Sequence, residues 1–233
     1  MMKRILFCVI LLMSSGVVAR AQQTSLAADE NMKPDAFTQA LKTEWTFLRD
    51  EIDKFVSSTK AKDEFETTAE FERRQAKERS DLVAKIRNRM EEQKFPKRVL
   101  KVLLKANPKL YDADTEIYTL SCTESIEAPY NIPTVVCHIP SNRYVMLSDS
   151  VEGGFRFSKI TFNFGSDFQW HVTRDIAKMA KAAQNNLYFR IHFVIDANVN
   201  FVAGAPQAVL TITPKLVELV DVQKNQVFWK DTP

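Results

Sequence analysis

The sequence predicts an α+β protein in which an N-terminal two-helix hairpin packs with a mainly antiparallel β-sheet, the sheet containing one strand–helix–strand unit. Three observations carry this. Apolar residues recur at helical spacing over 34–92, alternate at strand spacing over most of 116–229, and return to helical spacing once, at 173–185. The chain divides into four segments: a signal peptide at 1–21, a flexible arm at 22–33, the helical hairpin at 34–95 and the sheet domain at 96–233.

The first 21 residues have the layout of a secretory leader. Lys3 and Arg4 precede the apolar run Ile5–Met13, and Ala19-Arg20-Ala21 offers the small residues that a signal peptidase requires. The run Ile5–Ala19 is shorter than the ~20 residues of a bilayer span. Cleavage is expected before Gln22, leaving a chain with no transmembrane span, periplasmic or secreted from a Gram-negative envelope. Three of the 32 basic residues (Lys3, Arg4, Arg20) lie in the leader, which holds no acid, so 29 basic face 29 acidic residues in what remains. With no net basic field, nucleic acid is not an expected partner. Cys8 leaves with the leader. Cys122 and Cys137 then form an even pair, and in an oxidising compartment a Cys122–Cys137 disulfide is expected.

In the hairpin, Phe37, Leu41, Trp45, Leu48, Ile52 and Phe55 step by fours and threes from Pro34 to a stop near Ser57-Ser58. After a polar connection at Lys60–Glu64, a second helix is expected over Thr68–Glu92, with Phe71, Leu82, Val83, Ile86 and Met90 on its apolar side. Thr67 and Glu70 have capping-box spacing, and Phe65 and Phe71 flank the cap as a staple-like pair. The mixed charges from Glu70 to Arg89 read as a solvated face laced with i,i+4 pairs.

The phrase Phe65–Arg74, FETTAEFERR, is similar to the F-E-T-x-x-E-[FY]-x-x-R signature of small exported bacterial proteins of uncharacterised function. There it marks the start of a helix preceding a β-rich region, and YDAD at Tyr111–Asp114 is similar in kind. The resemblance implies an envelope protein and assigns no catalytic residue.

Pro96–Lys105 fits either period: VLKVLL suits a strand, while Pro96 at a first helical position and Leu100, Leu103 and Leu104 on one stripe favour a short helix. Strands are expected at Glu116–Cys122, Thr134–Ile139 and Tyr144–Leu147, with a turn at Gly153-Gly154. The next strand, Phe155–Phe164, changes apolar parity, which calls for a β-bulge at Ser158-Lys159. The strand–helix–strand unit runs from Phe155 to Phe201, its helix offering Ile176, Ala180, Ala183 and Leu187 to the sheet. In its last strand Phe189, Ile191, Phe193 and Ile195 point one way and Arg190, His192 and Asp196 the other. Strands at Ala208–Thr213, Leu216–Val222 and Val227–Trp229 close the chain, the last after a turn at Lys224-Asn225.

Chemical motifs are sparse. The sequence has no P-loop, dinucleotide fingerprint, nucleophile elbow, zinc-protease helix or C-x-x-C pair. His138, His171 and His192 lie on separate strands, and no catalytic residue, metal site or cofactor is expected. Two constellations are candidate ligand sites. Thr173 and Arg174 open a helix whose N-terminus favours an anion, although Asp175 already answers that dipole. Arg190 and His192, with Tyr188 and Asp196, form a polar stripe that suits either acid–base chemistry or a strand's solvent side. Most aromatics are phenylalanines placed as core; Trp170 and Trp229 are the candidates for an exposed platform. The functional expectation is a non-enzymatic binding or interaction module of the envelope, engaging another envelope protein or a small ligand. The alternative is a periplasmic hydrolase, or another enzyme, assembled around His171 or His192 and nearby carboxylates.

Overall fold

The computed structural model describes residues 31–95, 97–122, 124–129, 135–138, 145–152, 155–162 and 168–232, with backbone alone between 127 and 162. The leader at 1–21, most of the arm and the turn at Gly153-Gly154 lie outside the described residues. The fold is α+β, with two adjacent N-terminal helices on a curled, mainly antiparallel sheet.

Both helices of the hairpin follow their apolar spacing. Helix α1 spans Pro34–Ser58 and buries Phe37, Leu41, Trp45, Leu48 and Ile52. Helix α2 spans Thr68–Glu92 and buries Leu82, Ile86 and Met90. Its capping box is complete: the Glu70 amide donates to Thr67 Oγ1 at 3.2 Å, and the Thr67 amide donates to Glu70 Oε2 at 2.8 Å. The staple is not formed. Phe65 is 87% exposed, and Phe71 instead sits under the Arg74 guanidinium at 5.3 Å. At its C-terminus α2 closes in a Schellman motif, with Phe95 N–H on Met90 O and Lys94 N–H on Glu91 O. Lys94 takes the left-handed position at φ 60°, and Phe95 turns into the core.

That turn leads into strand β2, Val99–Asp112, where the sequence suggested a helix. Leu100, Val102 and Leu104 are buried and their odd-numbered neighbours less so, which is strand parity. VLKVLL fits both periods, and pairing decides: β2 lies antiparallel to β9 (Leu187–Val202) from Val99↔Val194 to Lys105↔Tyr188. The end of the supposed arm, Asn31–Met32, is a short strand β1 parallel to β2, with Met32 buried.

The principal sheet runs β11-β10-β9-β2-β3-β8, with β1 beside β2 and β5 beside β10. Here β3 is Ile117–Cys122, β5 Val135–His138, β8 Phe168–His171, β10 Ala205–Asp221 and β11 Gln226–Asp231. A smaller sheet joins β4 (Ser125–Pro129), β7 (Phe155–Phe162) and β6 (Val145–Glu152). Strand β10 replaces the two strands expected at 208–222. It passes through Pro214, which sits at a register shift where no ladder amide is required. No shift occurs at Ser158-Lys159, where both neighbours of β7 hold register, so the expected bulge is absent.

The strand–helix–strand unit is β8–α3–β9, with α3 at Arg174–Ala182; β7, the expected first strand, belongs to the smaller sheet. Helix α3 meets the fold through Ala177 and Ala180, while Ile176, expected on the inner stripe, is 40% exposed. Phe189, Ile191, Phe193 and Ile195 are all buried on one side of β9, as expected, and Phe193 stacks on Phe37 of the hairpin at 5.3 Å. The sheet curls until its two ends meet through side chains: Phe168 of β8 lies 4.7 Å from Trp229 of β11, and Trp170 lies 6.3 Å from Phe228. Trp170 and Trp229 therefore belong to packed clusters and do not form an exposed platform.

Candidate functional site

A one-residue irregularity in β2 borders a concave feature of the surface. The pairing steps from Pro108↔Leu120 to Tyr111↔Tyr118, so Lys109 and Leu110 together oppose Thr119. This bulge reverses the parity of the residues after it. Leu110, which regular alternation would direct inward after Ala106 and Pro108, is 70% exposed. Tyr111 takes the inner side in its place, edge-on to Tyr118 at 5.8 Å. Tyr118 is stacked in turn on Trp170 at 6.4 Å.

Over these tyrosines lies α3. Arg174, Ala177, Lys178 and Lys181 recur at spacings of three and four, which places them on one helix stripe. Together with Lys109, Tyr111 and Tyr118 they line a cavity of about 340 Å³. Ala177 keeps its floor open, the tyrosines supply apolar walls, and four cations stand on the rim with no carboxylate in the lining. Asp175, the anticipated competitor, faces solvent and among the described residues reaches only Lys178, at 3.8 Å. Arg174 and Lys181 have no ion-pair partner among the described residues. Like charges three and four residues apart each cost a few tenths of a kcal/mol.

The two phenols differ. Tyr111 Oη donates to the carbonyl of Val172 at 3.2 Å. Tyr118 is 1% exposed and its hydroxyl has no hydrogen-bond partner among the described residues, a deficit on the order of 1–3 kcal/mol if nothing else satisfies it. Burial raises the pKa of both phenols; at Tyr111 the Glu116 carboxylate adds to the rise and Arg174 opposes it.

The four residues singled out from sequence divide into two places. Arg174 lines the cleft, while Thr173 occupies the N-cap position of α3 without a side-chain cap bond. Arg190 and His192 meet elsewhere, on the outer side of the sheet, around Glu218. Arg190 Nε donates to Glu218 Oε2 at 2.7 Å, His192 Nε2 lies 2.9 Å from the same oxygen, and Arg190 Nη1 donates to Asn225 Oδ1 at 3.0 Å. Register brings them together, since Arg190 lies opposite Glu218 and the shift at Pro214/Leu216 places His192 opposite Leu216. Burial lowers the pKa of His192 despite Glu218. Burial also works against ionisation of Glu218, but the hydrogen bonds from Arg190 and His192 prevail and lower its pKa. His171 is exposed on β8, and Asp196 is exposed further along β9. Among the described residues no cluster of metal-ligating side chains forms.

The expected disulfide is not made. Cys122 carries a free thiol whose Sγ lies 3.7 Å from the Glu124 carbonyl, and burial pushes its pKa up to about 11. Register explains this. Cys122 pairs with Ala106, beyond the Lys105↔Tyr188 pair near the start of β9, whereas Cys137 pairs with Leu210, opposite Ala197 much further along. The side chains of Cys137 and His138 lie outside the described residues.

A second cavity, of about 260 Å³, opens between α2 and β9 and mixes Arg87 with Glu91 and Asp196, so its charges offset one another. The residues missed by sequence reasoning are Lys109, Tyr111, Tyr118, Lys178 and Lys181. The spacing of Arg174, Lys178 and Lys181 was the signal available for two of them. No family model, curated protein or solved structure matches the chain. No helix among the described residues is long and apolar enough to cross a membrane.

Proposed function

We propose that the protein is a non-enzymatic binding module of the bacterial envelope, and that it holds a small ligand in the cleft between α3 and the bulged β2–β3 pair. The observation that carries this reading is the lining: two tyrosines and a small alanine beneath four cations, with no serine, cysteine, histidine or carboxylate among them. Such a lining binds and orients a ligand, and it lacks the histidine or carboxylate that most often relays a proton. The leader-like first 21 residues support the compartment.

The test is a thermal-shift measurement on the full chain with a small-molecule extract from the envelope of the native host. Stabilisation is expected, and Ala177→Trp, which fills the cleft, should abolish it. No stabilisation by the extract would remove the reading.

A second reading, a hydrolase centred on His192, draws on the 2.9 Å contact to Glu218. Neither of the two cavities includes that pair. Turnover of a panel of chromogenic esters and phosphoesters, lost in His192→Gln, would favour the enzyme.

A further inference from the structure

We infer that the α3 cleft selects a small planar organic anion, of the aryl-carboxylate class, with the carboxylate at Arg174 and Lys178 and the ring against Tyr111 and Tyr118. This inference rests on the cleft being a binding site and goes further by naming the ligand's chemistry. A volume of about 340 Å³ matches a small organic molecule and exceeds what a bare inorganic ion fills. The walls call for an apolar and flat body. Half-buried Tyr111 offers an entering aromatic ring its contact, with Tyr118, 1% exposed, packed edge to face behind it.

The charge calls for an anion. Arg174, Lys178 and Lys181 stand on one stripe of α3, and among the described residues only Lys178 has a carboxylate within reach, at 3.8 Å. Arg174, with its planar fork, matches a carboxylate through two parallel hydrogen bonds. The first turn of α3 adds the positive end of its dipole to the same place. Tyr118 contributes a separate observation: its buried hydroxyl lacks a partner among the described residues.

The experiment is isothermal titration of the full chain with three probes: 4-hydroxyphenylacetate, its neutral amide, and inorganic phosphate. The carboxylate is expected to bind at least tenfold more tightly than the amide, with affinity falling as salt rises, and phosphate more weakly than the carboxylate. The double variant Arg174→Gln/Lys178→Gln should lose at least tenfold for the carboxylate and little for the amide. Both positions are exposed, so the fold is retained, which circular dichroism verifies. Equal binding of amide and carboxylate, tighter binding of phosphate, or no binding of the carboxylate at millimolar concentration each overturns the inference. Those results leave the cleft as a binding site. That broader reading is tested separately, by whether the host extract stabilises the protein.

Discussion

Helices α2 and α3 both carry basic residues at helical spacing, and they differ in what answers them. On α2, Arg74 meets Glu66 at 2.9 Å and Glu78 at 3.4 Å, Lys85 meets Glu51, and Arg89 meets Glu44 at 3.4 Å. Three of these four carboxylates come from outside the helix, two of them from α1. The charges therefore join the hairpin and are not only a solvated face of i,i+4 pairs. On α3, Arg174 and Lys181 meet no carboxylate among the described residues. The same residue types serve cohesion in one region and remain available to a ligand in the other.

Substitution separates the two regions. The largest effect is expected at Arg89→Met, which leaves Glu44, only 5% exposed, without its cation. Burial already raises the pKa of Glu44 and Arg89 restrains that rise, so loss of the arginine should cost about 3 kcal/mol in urea unfolding. A cost near zero would place this pair with those of α3.

A smaller effect, dependent on pH, is expected at the Arg190–Glu218–His192 cluster. The folded pKa of each of His192 and Glu218 lies below its unfolded value, so acidification releases stability. For His192 the contribution is full above the ordinary value near 6.5 and is lost as pH falls through its lowered folded pKa; Glu218 loses its share below about 4.5. Melting temperature should fall from pH 7 to pH 4, and His192→Gln should flatten the upper part of that curve. Next comes Thr67→Ala, expected to cost ~1 kcal/mol because the Glu70 amide loses its acceptor. Smallest is Arg174→Gln/Lys178→Gln, which should leave stability within about 0.5 kcal/mol, on the stabilising side, because it relieves repulsion. A large loss there would mean that the α3 cations also hold the fold together.

Legibility in the sequence tracked the range of the interactions. Helices α1 and α2 were readable to their ends because periodicity and the Thr67–Glu70 box are local. Residues 96–105 were not, since Leu100 and Leu104 suit either period and only pairing with β9 selects the strand. Strand β8 was overlooked because Phe168-Gln-Trp-His is too short for a pattern to stand out. The Arg174 half of the site was visible as a helix terminus. Its other half depended on the bulge at Lys109-Leu110, and the contact between His192 and Glu218 depended on the shift at Pro214. Each is a two-strand property that neither strand encodes alone.

The meeting of Phe168 with Trp229, and of Trp170 with Phe228, fastens the curled sheet as a clasp would. Among the described residues these ring contacts join the two ends of the sheet without a backbone ladder between them. Trp170 also supports the Tyr118 ring from behind. Slack at this seam therefore reaches the cleft directly, and the last strand of the chain helps to set the shape of a pocket to which it contributes no lining residue.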